Sequence, residues 1–325
     1  MTWVTWRQYR YQGALTAALT AVLAVVLLIT GLHAAWAWHS ALAACTKDGS
    51  CGSLPGSNLS LSNPTIATLV VATSAVPLLP GLFWGAPMVA GELETGTNQF
   101  AWTQSITRRH WLAVRTGWLL LAVAVLAGAV SALVTWWSGP DNALTADAFK
   151  ANRFDITHIV PVGYAIFAMA LGICAGALLR RTLPALAVTL AGFAALRVLT
   201  SQWLRLHFMT PVTVYYKLTA PFTPNGSYLA VSQGIVGANG KPLTAGPNSY
   251  GYNGAPIPAG CMRFTGSPNP GAVVPCLSAH GYRGYVTYQP ASRFWAFQGI
   301  ETGIFVILAA VLLGVTFWVL KRRDA

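Results

Sequence analysis

"WLAVRTGWLLLAVAVLAGAVSALVTWW", Trp111–Trp137, carries one charge, Arg115, close to its start. An α-helix rises about 1.5 Å per residue, so a run of this length crosses the roughly 30 Å hydrocarbon layer of a bilayer. The pattern recurs at Ala14–Trp38, Pro64–Val89, Ile159–Leu179, Leu183–Leu206 and Phe294–Leu320, which makes six runs. Only 9% of the residues are charged, against about 25% in soluble domains. Mean hydropathy is +0.53. These features predict an all-α membrane protein with six transmembrane helices, in which the bilayer takes over the task of an enclosed core.

An even number of spans puts both termini on one side, and basic residues choose it. Arg7 and Arg10 precede the first run, Arg108 and Arg109 the third, Arg180 and Arg181 separate the fourth from the fifth, and Lys321-Arg322-Arg323 follow the sixth. All fall on one face, which the positive-inside rule makes the cytoplasm. The first run exceeds the about 7–15 residue core of a signal peptide, and no small-residue cleavage site follows cleanly, so it reads as a span. The net charge of +12 is spread as membrane-edge pairs without interleaved stacking aromatics. That favours anionic lipid as the partner and argues against nucleic acid. Trp36, Trp38, Trp136 and Trp137 read as aromatic belts at the interfaces.

Between the fifth and sixth runs the chain changes character. Residues 207–293 are rich in Gly, Pro, Asn, Ser and Tyr, with turn signals such as "TPNGSY" and "GSPNPG" and β-prone pieces "VTVYY" and "YVTY". They predict a loop- and β-rich extracytoplasmic cap. Cys45 and Cys51 fall in the first outer loop, Cys261 and Cys276 in the cap, and all four face an oxidising compartment. Proximity favours Cys45–Cys51 and Cys261–Cys276, with links between the loops left open. Zinc is the rival ligand, but no CxxC spacing or matching histidine pair supports it. Cys174, inside the fourth run, reads as a small buried residue.

Two ionisable residues stand within the apolar runs, Arg197 in the fifth and Glu301 in the sixth. Counting from the outer ends puts both roughly 10–14 Å deep. An unpaired charge there costs about 3 kcal/mol on insertion scales, so the two are expected to pair, with Gln202 and Gln298 extending the network. A lock between the last two helices, a role in substrate passage and outward snorkelling are the three readings of this pair.

No HExxH, GxSxG or GxxxxGK[ST] motif is present, and "GANGKP" has the wrong spacing for a P-loop. The chain therefore has no ATPase motif of its own, and no enzyme activity or bound cofactor or metal is expected. Against that background the polar segment "GELETGTNQFAWTQSITRRHWLAVR", Gly91–Arg115, stands out. It resembles the segment after the second span in permease subunits of type-2 ATP-binding-cassette exporters, whose pattern is approximately E-x-E-x-G-T followed by S-x-R and a basic residue. Glu92, Glu94, Gly96 and Thr97 match its first part, and Ser105, Arg108 and Arg109 its second. Thr103-Gln104 replaces the usual Leu-Pro, and with "SRFWAFQGIETG" at Ser292–Gly303 the chain looks like an actinobacterial-like subgroup.

The resemblance implies that this segment docks into a groove of a separate ATPase subunit, which carries ATP and Mg. It also implies a homodimer or a heterodimer with a second permease in the bacterial plasma membrane, both termini cytoplasmic. On this reading residues 1–206 hold five spans with the coupling segment 91–110, residues 207–293 the cap, and residues 294–325 the sixth helix and basic tail. The function is then coupling of ATP hydrolysis to export. The bland alternative for the segment is a solvated, orienting loop. Two other functional classes stand beside export: an ion-coupled secondary transporter using Arg197 and Glu301, and a non-transporting scaffold presenting the cap.

Overall fold

The computed structural model describes residues 2–48, 64–95, 108–139, 148–220, 222, 226–237, 240, 251–252, 255–256, 261 and 270–322. Among them, six helical stretches are long and apolar enough to cross a membrane: Gly13–Ala37, Pro64–Gly91, Ala113–Trp137, Val160–Leu179, Thr182–His207 and Ala291–Arg322. The chain divides into two compact units, residues 1–205 with 295–325, and residues 206–294.

In the first unit, helix α1 (Thr2–Asp48) has 47 residues. At about 1.5 Å each it is roughly 70 Å long, more than twice the apolar thickness of a bilayer. Helix α2 (Pro64–Ala75) leads through a 3₁₀ turn (Val76–Leu78) and a π-helical turn (Gly81–Gly85) into α3 (Ala86–Thr95). The cause is the sequence "VPLLPGLFWGAP": Pro77 and Pro80 remove two backbone donors, and the ladder re-forms with shifted partners. Helix α4 (Arg108–Trp137), the single-turn α5 (Ala151–Phe154), α6 (Val160–Leu179), α7 (Thr182–Leu199) and, after the second unit, the long helix Phe294–Arg322 complete the bundle.

Helix α6 is the centre of this unit. Residues on every side of it are buried, as expected of a helix apolar all round. Glycines on both sides admit the broken second span to α6 at backbone distance. A Cβ on Gly85 would lie 2.7 Å from the Met169 carbonyl oxygen, one on Gly172 2.8 Å from Ala86 N, and one on Gly176 2.7 Å from the Ala86 carbonyl oxygen. Small residues let helices meet this closely, and without a hydrophobic drive in lipid such packing is what holds them together. Ala86, Ala90, Ala175 and Ala185 extend the seam to α7.

Helices α1 and α4 meet at a second close contact. Trp137 donates from Nε1 to Thr30 Oγ1 at 3.1 Å, and a Cβ on Gly31 would lie 2.6 Å from the Trp136 ring. Trp137 is thus only 2% exposed and belongs to the interior, contrary to the belt reading. Trp36, at 70%, and Trp136, at 46%, do face outward. Trp137 differs because, besides bonding Thr30, it belongs to the buried cluster of Leu27, Ile66, Val134 and Ile156.

The second unit is built on strands β1 (Val212–Lys217), β2 (Leu229–Val236) and a third strand, Arg283–Gln289, which lies between them and pairs antiparallel with both. A short ribbon, β3 (Gly251–Tyr252) with β4 (Ala255–Pro256), stands apart. Gly284 lies directly beneath the Tyr216 ring, so no side chain fits there. Helix α8 (Pro270–Ala279) is bonded to the preceding loop by the Cys261–Cys276 disulfide, and Cys261, Val273 and Leu277 form a small core. Cys51 and the Cys45 side chain lie outside the described residues. Closing a loop across a separation of 15 residues stabilises by about 3 kcal/mol on the chain-entropy account. Both cysteines should therefore resist an impermeant maleimide until a reductant is added, and reduction should lower the melting temperature of this unit; ready alkylation without reductant would contradict the bond.

Candidate functional site

Two places gather polar chemistry within the first unit. One lies where α3 ends and α7 begins. Helix α6 stops at Arg180, which takes a left-handed conformation (φ 56°) and bonds its N–H back to the Gly176 carbonyl, so two arginines make the whole turn into α7. The N-cap of α7, Arg181, makes no side-chain cap. Helix starts leave backbone donors without intrahelical partners, and here one is met from a different helix. Glu94 Oε2, in the last turn of α3, accepts from the Thr182 backbone N–H at 3.1 Å and from the Thr182 hydroxyl at 2.8 Å.

The hydroxyl bond, then the backbone bond, holds the Glu94 carboxyl below its ordinary value; desolvation opposes this, and Arg181 adds to the shift. The charged form is the bonded one, so this cap is complete above the ordinary carboxylate range and is lost as pH falls through the lowered value. Glu92, Gly96, Thr97 and Ser105 of the expected coupling segment are not among the described positions or side chains. Arg108 and Arg109 open α4, and their side chains likewise lie outside the described residues.

The second place is a cluster of charges inside the bundle. Sequence spacing alone would put Arg205 about 80° round a regular helix from Arg197. The π-helical turn Thr200–Leu204 takes up extra backbone and rotates Arg205 back toward the Arg197 face. Arg205 then reaches Glu301 through two bonds, Nε to Oε2 at 3.0 Å and Nη2 to Oε1 at 2.8 Å. Its Nη2 also donates to Asp155 Oδ1, and its guanidinium lies 4.2 Å from the centre of the Phe154 ring. The Tyr164 hydroxyl donates to Glu301 Oε1. Arg205 is 1% exposed and Glu301 0%.

Arg197 does not pair with Glu301. It donates to Asp155 Oδ2 at 3.1 Å and to the Ser74 carbonyl at 2.6 Å, and stacks 4.9 Å above Tyr164. The expected pair is therefore replaced by a chain, Arg197–Asp155–Arg205–Glu301. The fifth run, ending at Leu206, left Arg205 at its edge, and the fourth, starting at Ile159, left Asp155 outside. Gln298 bonds to backbone instead, accepting from Val160 N–H at 3.1 Å and donating to the Phe154 carbonyl at 3.3 Å, which satisfies a donor at the start of α6. Gln202 is exposed and stands outside this cluster. Beside the cluster, half-buried His158 packs edge-on to Trp295 at 5.0 Å, and burial pushes its imidazole down toward the neutral form.

Together the cluster joins the second, fourth, fifth and sixth apolar helices through residues from five places in the chain. Tyr164, Asp155 and Arg205 in this cluster, and Thr182 at the Glu94 junction, are the participants that sequence reasoning missed. An acid flanked by apolar residues in "RFDITH", and a second arginine eight positions after Arg197, were the available signals. In the second unit, Cys261, Cys276 and His280 bring three metal-ligand atoms within 4.8 Å of one another. The two sulfurs are bonded to each other, so the group offers no thiolate to a cation.

A family model described as "ABC-2 membrane transporter related" matches residues 17–205. No match is found among curated proteins or among solved structures.

Proposed function

Because the chain belongs to the ABC-2 membrane transporter related family, a multi-pass membrane family, we propose that it is the permease subunit of an ATP-binding-cassette exporter. The observation that carries this reading is the extent of the match, which takes in five apolar helices and the polar segment between α3 and α4. A separate ATPase subunit binds ATP and Mg and docks on residues 91–110. Two permeases, identical or not, enclose the path, since one six-helix chain has few helices with which to line it. Both termini face the cytoplasm, the 206–294 unit lies outside the cell, and closure of the ATPases drives the helices between states.

The chain supplies binding, orientation and movement, and the partner supplies hydrolysis. The test is purification in mild detergent from the native host: an ATPase with a P-loop should copurify, and the complex should hydrolyse ATP. Glu92→Lys, which reverses a charge in the docking segment, should weaken that association at least several-fold while leaving membrane insertion intact, as charge reversal at an interface does. Undiminished association would remove Glu92 from the contact. Absence of any ATPase would remove the exporter reading.

A further inference from the structure

We propose that Glu94 is a positioning residue through which the coupling segment moves the fifth span, an inference that rests on the exporter reading above. Helix α3 leads into the segment that docks on the ATPase. Its last turn is held to the first turn of α7 by two bonds from one carboxylate, at 3.1 and 2.8 Å. The two helices also share the alanine seam of Ala86, Ala90 and Ala185, so the carboxylate acts at a junction that is already close-packed.

Glu94 is thus turned toward its own bundle. Glu94 is exposed, yet its Oε2 takes both bonds from α7, so this oxygen ties α3 to the fifth span at the surface of the bundle. At its other end α3 is separated from α2 by the proline- and glycine-broken stretch 76–85. Such breaks are where helices bend, because intact i to i−4 bonds are missing. A push on the segment therefore passes to α7 across Glu94 more directly than along the second span. Arg197 and Arg205 lie toward the far end of that same helical stretch, so its displacement reaches the charge cluster.

The bond can be removed from either side without unfolding the helix. Glu94→Ala deletes the acceptor. Thr182→Pro deletes both donors, and proline suits the first helical position; the preceding residue, Arg181, already has the extended backbone (φ −133°, ψ 131°) that proline demands. The permease–ATPase complex would carry Gln202→Cys, an exposed position near the far end of the fifth span, as a reporter for an impermeant maleimide.

The expected result is that labelling of the reporter changes on adding ATP and Mg, and that Glu94→Ala and Thr182→Pro each lose this change while retaining the ATPase and a single monodisperse peak. A merely structural cap would lower the melting temperature and leave the ATP response. If the response persists in both variants, the proposal is overturned. Loss of the ATPase from either variant would also overturn it, making Glu94 part of the docking surface instead. An unsubstituted complex that holds the ATPase but shows no response would mean that the fifth span is not driven. No ATPase in the unsubstituted preparation would overturn the exporter reading, and this inference with it.

Discussion

Arg205→Leu is expected to cost about 3–5 kcal/mol in detergent stability, because it strands the fully buried Glu301 carboxylate without a cation. Glu301→Leu should cost a similar amount, for it leaves Arg205 and the Tyr164 hydroxyl without their shared acceptor. The double variant should recover much of that loss. Removing both members leaves Asp155 with Arg197, a pair that still balances, and replacing a buried pair by apolar side chains is often close to neutral. A thermodynamic cycle should accordingly give a coupling of at least about 3 kcal/mol for Arg205 with Glu301 and much less for Arg197 with Glu301, which meet only through Asp155. Equal couplings for the two arginines would show that the cluster is wired differently.

The seam between α6 and the broken second span predicts a comparable loss from the opposite kind of change. Gly172→Val and Gly176→Leu each place a side chain against backbone that cannot rotate away, since the first atom alone would come within 2.8 Å of Ala86 N or 2.7 Å of the Ala86 carbonyl oxygen. Overpacking against side chains costs about 1–3 kcal/mol, and backbone yields less readily, so the upper end or beyond is expected here. Most of the folded, monodisperse protein should be lost. Gly117→Ala and Gly314→Ala provide the contrast: no atom lies within 4 Å of either Cβ, and alanine favours a helix by up to about 1 kcal/mol. Size-exclusion yield across the four variants checks the pattern. Normal yield from Gly172→Val would mean that the helices do not approach so closely.

The six apolar helices were legible because length and hydropathy are properties of a continuous stretch, and lipid enforces them one segment at a time. The partners of the polar residues were not, because each depends on a return of the chain. Glu94 stood out as an acid in a greasy sequence, yet its acceptor role comes from a hairpin 88 positions away. Arg197 and Glu301 were read as partners of each other, because Asp155 lay in a linker just before a span and Arg205 came onto the right face only through a π-helical turn. Trp137 illustrates the same limit: nothing near it in sequence announces the cluster it joins with Leu27 and Ile66 on other helices. Cys261–Cys276 was readable because both members are close in the chain.

The buried cluster has an electrical consequence. Two guanidinium groups face two carboxylates, so its formal charges sum to zero. A single charge carried through 100 mV exchanges about 2.3 kcal/mol with the field across a membrane. A neutral quartet displaced as one body exchanges none. The helices that hold it can therefore rock in an energised cell without the voltage either driving or opposing them, and turnover measured at different membrane potentials should not reveal this cluster as a voltage-sensing element.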